Sequence, residues 1–118
     1  MPQALITGAV ALIAVALLTA MSLRANRRFA MEPRLPMQWG LDGSVNWTAP
    51  RRVALAFTPV LAAVCFVAIV ALTAFLKPRA GQEHLVLPVN LFVALAWVGA
   101  HAFHLWLIQR TVQRRRQR

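Results

Sequence analysis

A chain of 118 residues with 59% apolar and only 14% charged side chains departs from the balance of a water-soluble domain, in which about half the residues are apolar and about a quarter charged. Its 13 lysines and arginines stand against three acids, a net charge of +10, and they fall between or after the apolar blocks instead of being dispersed. The sequence has no paired carboxylates, no nucleophile with a base, no glycine-rich phosphate loop and no zinc spacing, so a membrane protein without catalytic activity or cofactor is expected.

The first element is an uncharged run from Pro2 to Leu23. A helix rising about 1.5 Å per residue needs roughly 20 apolar residues to cross a hydrocarbon core near 30 Å, and backbone groups in lipid have no water to turn to. A transmembrane helix over about 3–23 is therefore predicted. No basic region precedes the run, and it is longer than the roughly 7–15 apolar residues of a secretory signal, so it reads as a retained anchor. Ala4 and Gly8, and Ala16 and Ala20, have the spacing that lets helix backbones approach closely.

The connection over 24–52 is the least apolar part of the chain and contains the stretch PMQWGLDGSVNW between two groups of arginines. Pro36 restricts itself and Leu35, and Gly40 and Gly43 give access to positive φ, so a tight, turning loop is expected, with no helical or strand period. Trp39 and Trp47 are amphipathic rings of the kind found at a headgroup boundary. Two readings stay open: an interfacial anchor, or a surface that recognises a partner.

Leu35 to Arg51 resembles the loop of a bacterial membrane domain found in SdpI-type toxin-immunity proteins, with the pattern I-P-x-H-W-N-x-x-G-x-x-D-x-x-x-x-K. Leu35, Pro36, Trp39 and Gly43 stand at the hydrophobe, proline, tryptophan and glycine of that pattern, and Arg51 replaces its closing lysine. Gln38, Gly40 and Asn46 depart from its histidine, asparagine and aspartate, which removes the titratable and metal-binding groups. The resemblance implies a non-catalytic binding, immunity-like or regulatory role carried by this loop.

A second transmembrane helix is predicted over about 53–76, with Pro59 near its start and the single Cys65, a small packing residue, at mid-span. A short loop follows over 77–84, then a third helix over about 85–109 opened by Pro88. Asn90, Ala94, Trp97, His101 and His104 recur every three or four residues, so they share one face, which is expected to pack on the first two helices. His101 and His104 invite a metal or proton-linked reading, but no further strong ligand supports a metal; hydrogen bonds to Gln38, Asn46 or loop carbonyls are expected instead.

The tail over 110–118 carries Arg110, Arg114, Arg115, Arg116 and Arg118 and is expected to meet anionic headgroups, without nucleic-acid binding. With the first connection it places eleven basic residues on one side and two, Lys77 and Arg79, on the other. Cytoplasmic loops are the basic ones, which puts the N-terminus outside and the C-terminus inside a bacterial cytoplasmic membrane. The fold class expected is an all-α integral membrane protein: one domain over 1–118, three transmembrane helices, a turn-rich first loop and a basic tail. Binding to a membrane-protein partner or to a second copy is one functional expectation; an accessory subunit of a respiratory, photosynthetic or transport complex is the other.

Overall fold

A computed structural model describes residues 2–77 and 80–117. Among the described residues three helices, α1 (Pro2–Arg28), α2 (Arg51–Phe75) and α3 (Val86–Arg116), are long and apolar enough to cross a membrane. They occupy the three predicted spans but overrun them at one end. α1 continues past Leu23 to Arg28, and α3 continues past Gln109 to Arg116, so the basic tail is the last part of a helix and not an appended segment. At 31 residues α3 is roughly 46 Å long, well beyond a hydrocarbon core of about 30 Å. Arg118 lies outside the described residues.

The connection between α1 and α2 corrects the all-α expectation, because its turn-rich stretch is a β-hairpin. Strands β1 (Arg34–Trp39) and β2 (Val45–Pro50) pair antiparallel, Leu35 opposite Ala49 and Pro36 opposite Thr48. The register shifts between Pro36 and Gln38 and again between Gln38 and Trp39. Such irregularities destroy the period-two alternation by which a strand is recognised: Leu35 and its neighbour Pro36 are both buried. Pro50 ends β2 with extended backbone, and α2 begins at the next residue, its Arg51 amide donating to the Pro33 carbonyl at 3.0 Å.

α1 is the middle of the molecule. Its buried residues Thr7, Ala11, Ala14, Leu18, Ser22 and Ala25, with Phe29 just past its end, recur at intervals of three and four, one continuous seam. Both α2 and α3 pack along this seam of α1, and they approach each other less closely than either approaches α1. The molecule measures 59 × 28 × 17 Å and is elongated along the helices. α1 and α3 run in the same direction, shown by the ties from Thr7 to Asn90, Ser22 to His101 and Arg28 to Gln109; α2 runs opposite.

Two clusters fill the interior. Mid-helix, Ala11, Ala14 and Leu18 pack on Ala62 and Phe66, with Ala94 and Trp97 against them. At the hairpin end, Phe29, Leu35, Ala49, Leu55, Ile108 and Val112 join both strands to all three helices. The close contacts are made by Ala11, Ala14, Ala25, Ala54 and Ala62. The small residues singled out by spacing are not at the seam: Ala16 and Ala20 are exposed, and open space surrounds Gly8.

Candidate functional site

The hairpin is held against the helix ends by three of the motif residues. Leu35, wholly buried, fills the cluster between α1, α2 and α3. Arg51 gathers the chain where α1 ends: its Nε donates to Asn26 Oδ1 at 2.8 Å, and its Nη1 donates to the carbonyls of Ala30 and Glu32 at 2.9 and 3.0 Å. A planar guanidinium has several donors in fixed directions, and here they satisfy carbonyls of the turn that follows α1. Trp39 docks the hairpin on α3, donating from Nε1 to Thr111 Oγ1 at 2.9 Å while its ring meets His104 edge-on, centroids 5.7 Å apart.

The tip is built by local chemistry. The Gly43 amide closes a turn on the Gly40 carbonyl at 3.0 Å, the Gly40 amide donates to the Ser44 carbonyl at 2.8 Å, and Gly43 has φ of +85°, which favours glycine. Asp42 Oδ1 accepts both the Ser44 hydroxyl, at 2.6 Å, and the Ser44 amide, at 3.1 Å. Those bonds to Ser44, the hydroxyl first, hold the Asp42 carboxyl below its ordinary value of 3.8. A Cβ on Gly40 would stand 3.0 Å from Asp42 Oδ1 and 3.4 Å from Asn46 Oδ1. A side chain at position 40 would press on the ends of the Asp42 and Asn46 side chains, which would have to shift by a few tenths of an ångström.

Pro36 is buried beside Leu35, and the polar part of the motif faces outward. Gln38, Asn46 and Trp47 are exposed, and Gln38 Oε1 accepts the Trp47 indole N–H at 3.0 Å. Leu41 projects fully from the tip and Trp47 is 49% exposed. The motif therefore divides into residues that anchor and residues that are presented.

The polar face of α3 packs on α1 and, through Ala94 and Trp97, on the cluster that α1 shares with α2. His104 meets the hairpin at the Trp39 ring and the Pro36 backbone, whereas His101 turns to α1. Asn90, buried, donates to Thr7 Oγ1 at 3.3 Å and to the Val86 carbonyl at 2.7 Å. Trp97 lies on the mid-helix cluster. His101, wholly buried, has Nε2 at 2.8 Å from Ser22 Oγ, and Ser22 donates to the Leu55 carbonyl at 2.6 Å.

That last bond has its origin in α2. Leu55 precedes Pro59 by four residues, and proline has no amide proton to give the carbonyl at i−4. Ser22 fills the vacancy from the neighbouring helix, as Ser and Thr do for proline-interrupted helices in lipid. A hydroxyl has one proton. With that proton on Leu55, Ser22 accepts from His101, which makes the imidazole an Nε2–H tautomer and leaves Nδ1 as a buried acceptor without a partner. His104 Nε2 is likewise buried and unpartnered. Ser22 was missed at the sequence level; the available signal was a proline within an apolar span, which implies a free carbonyl one turn earlier.

The basic residues at the hairpin end have individual partners. Arg28 donates to Gln109 Oε1 at 2.8 Å, Arg116 meets Glu32 at 3.4 Å, and Arg110 lies 5.4 Å from the centre of the Trp106 ring. Arg114 and Arg115 are exposed. Among the described residues no group of three His, Cys, Asp or Glu side chains is placed to hold a metal ion. Comparison with protein-family models, curated proteins and solved structures returned no match.

Proposed function

We propose that this chain is a multi-pass protein of the bacterial cytoplasmic membrane, SdpI-like in its motif, that binds a membrane-protein partner or a second copy through the outer face of the hairpin. The observation that carries the reading is the division of the motif: Leu35, Trp39 and Arg51 lock the hairpin to three helix ends, while Gln38, Leu41, Asn46 and Trp47 point away from the core. A rigid backbone presenting an aromatic and an aliphatic anchor with amides beside them has the composition of a recognition surface, because little conformational freedom is lost on binding. The excess of arginines around the hairpin and along the end of α3 supports a cytoplasmic hairpin. The role is regulatory or immunity-like, and it is exercised from within the cell.

A photo-crosslinking residue at Leu41 tests this in intact cells. A discrete adduct that disappears when Trp47→Ala is introduced is the expected result; the same adducts with and without Trp47 would overturn it. Cysteine labelling at Ser44 with a membrane-impermeant reagent checks the orientation, and labelling from outside would reverse it.

The apolar surface left open along the helices favours a second reading. Leu12, Ile13, Val64, Val67, Phe92 and Leu95 are exposed, which leaves room for further helices, as in an accessory subunit completed by a respiratory, photosynthetic or transport complex. Stoichiometric co-purification with a large complex in mild detergent supports this reading; a free monomer or homo-oligomer removes it.

A further inference from the structure

A groove of about 260 Å³ runs between α1 and α3 on the side of α1 away from α2. Its floor is apolar, made by Met21 and Ala25 of α1 and Ala102 and Leu105 of α3. At its sides stand Arg24, Arg28, Gln109 and Trp106, and no carboxylate lines it. Since α1 and α3 run in parallel toward the hairpin end, Met21 and Ala102 lie at the deep end of the groove and Arg28 and Gln109 at the shallow end. The groove therefore grades from apolar to cationic along the direction in which a lipid grades from chain to phosphate.

The cationic end is pre-arranged. Arg24 and Arg28 are one helical turn apart and both reach the groove. Arg28 is already oriented by its bond to Gln109. Guanidinium groups bind phosphate oxygens through paired N–H donors, and basic pockets between membrane helices are suited to acidic headgroups. A peptide carboxylate would match the charge but not the apolar floor beneath it.

We infer that this groove is a site for one anionic phospholipid, its phosphate held between Arg24 and Arg28 and the start of an acyl chain laid over Met21, Ala102 and Leu105. It is separate from the hairpin surface, and it differs from the diffuse attraction of the α3 end because it takes a lipid of defined pose. Occupancy ties the flank of α1 to α3 through a bound molecule, next to the direct Arg28–Gln109 contact.

The test is native mass spectrometry of the detergent-purified full chain with added phosphatidylglycerol or phosphatidylcholine. The expected result is a single phosphatidylglycerol adduct, at least ten-fold tighter than the phosphatidylcholine adduct. R24Q/R28Q should abolish that preference, whereas R114Q/R115Q, which removes the same charge outside the groove, should keep it. A102W leaves every charge in place and fills the floor, and it should also lose the adduct. Equal loss in the two arginine pairs would reduce the effect to net charge and overturn the site. So would an adduct that survives A102W, or one that millimolar inorganic phosphate displaces, since the latter assigns the arginines to a free anion.

Discussion

The Ser22 hydroxyl stands 2.8 Å from Nε2 of His101, and through it the imidazole of α3 is joined to a backbone carbonyl of α2 that it does not itself touch. Removing the hydroxyl leaves Leu55 O and His101 Nε2 unpaired in an apolar interior. Ser22→Ala should therefore destabilise the protein by about 1–3 kcal/mol, the usual cost of an unsatisfied buried group. Pro59→Ala restores an amide proton for Leu55, so Ser22→Ala should cost less in that background. Thermal unfolding of the four proteins of this cycle in detergent measures the coupling; strictly additive effects would mean that Ser22 does not serve the carbonyl freed by Pro59.

Arg51 holds the exit of α1 with a geometry lysine cannot copy. A single ammonium cannot serve Asn26 and the Ala30 and Glu32 carbonyls in the directions the guanidinium does. Arg51→Lys is expected to lose roughly 1–2 kcal/mol and Arg51→Ala somewhat more, given about 0.5–1.5 kcal/mol for a typical hydrogen bond. Hydrogen exchange should rise over residues 29–35 and leave the middle of α2 unchanged. A uniform rise along the whole chain would contradict the local role.

Trp39 makes two separable contributions. Trp39→Phe deletes the donor to Thr111 but keeps an aromatic ring beside His104, and should cost about 0.5–1.5 kcal/mol. Trp39→Ala also removes the ring that packs at the hairpin–α3 junction, and because Trp39 is only half-buried the cost is expected to be about 2–3 kcal/mol, at or below the low end for a buried aromatic. Unfolding midpoints of the two variants and of Thr111→Val distinguish the terms: Thr111→Val should resemble Trp39→Phe.

The hairpin tip makes a prediction about pH. The hydroxyl and amide of Ser44 favour the ionised Asp42 carboxylate, so its folded pKa lies below the ordinary 3.8. A depressed carboxyl contributes stability that is present above the unfolded value and is lost as pH falls through the folded value. Carboxyl titration by NMR should give a midpoint below 3.8, moving up toward it in Ser44→Ala. Gly43→Ala, at φ +85°, should independently cost about 1–2 kcal/mol.

The spans were legible because charge is excluded from them, and length alone then requires helices. The hairpin was not, and the reason lies in Pro36 and the irregular pairing around Gln38, which put adjacent residues on the same side and erase alternation. The α3 face was readable as far as His104, yet the same seam continues through Ile108 and Val112, where arginines nearby masked the period. His101 was identified without its partner, because the carbonyl that draws in Ser22 is created by a proline in another helix. The anchoring role of Arg51 was hidden for a similar reason: its acceptors are main-chain groups, and no side-chain pattern marks them.

That one seam of α1 serves both other helices has a consequence for biogenesis. The α1–α2 pair, joined at the hairpin by Arg51, can form before α3 leaves the ribosome, and the late helix then closes the hairpin end by bringing Ile108, Val112 and Thr111 to Leu35 and Trp39. Assembly in order of synthesis needs no rearrangement, and a truncated product ending in the 77–84 connection should still form the α1–α2 pair.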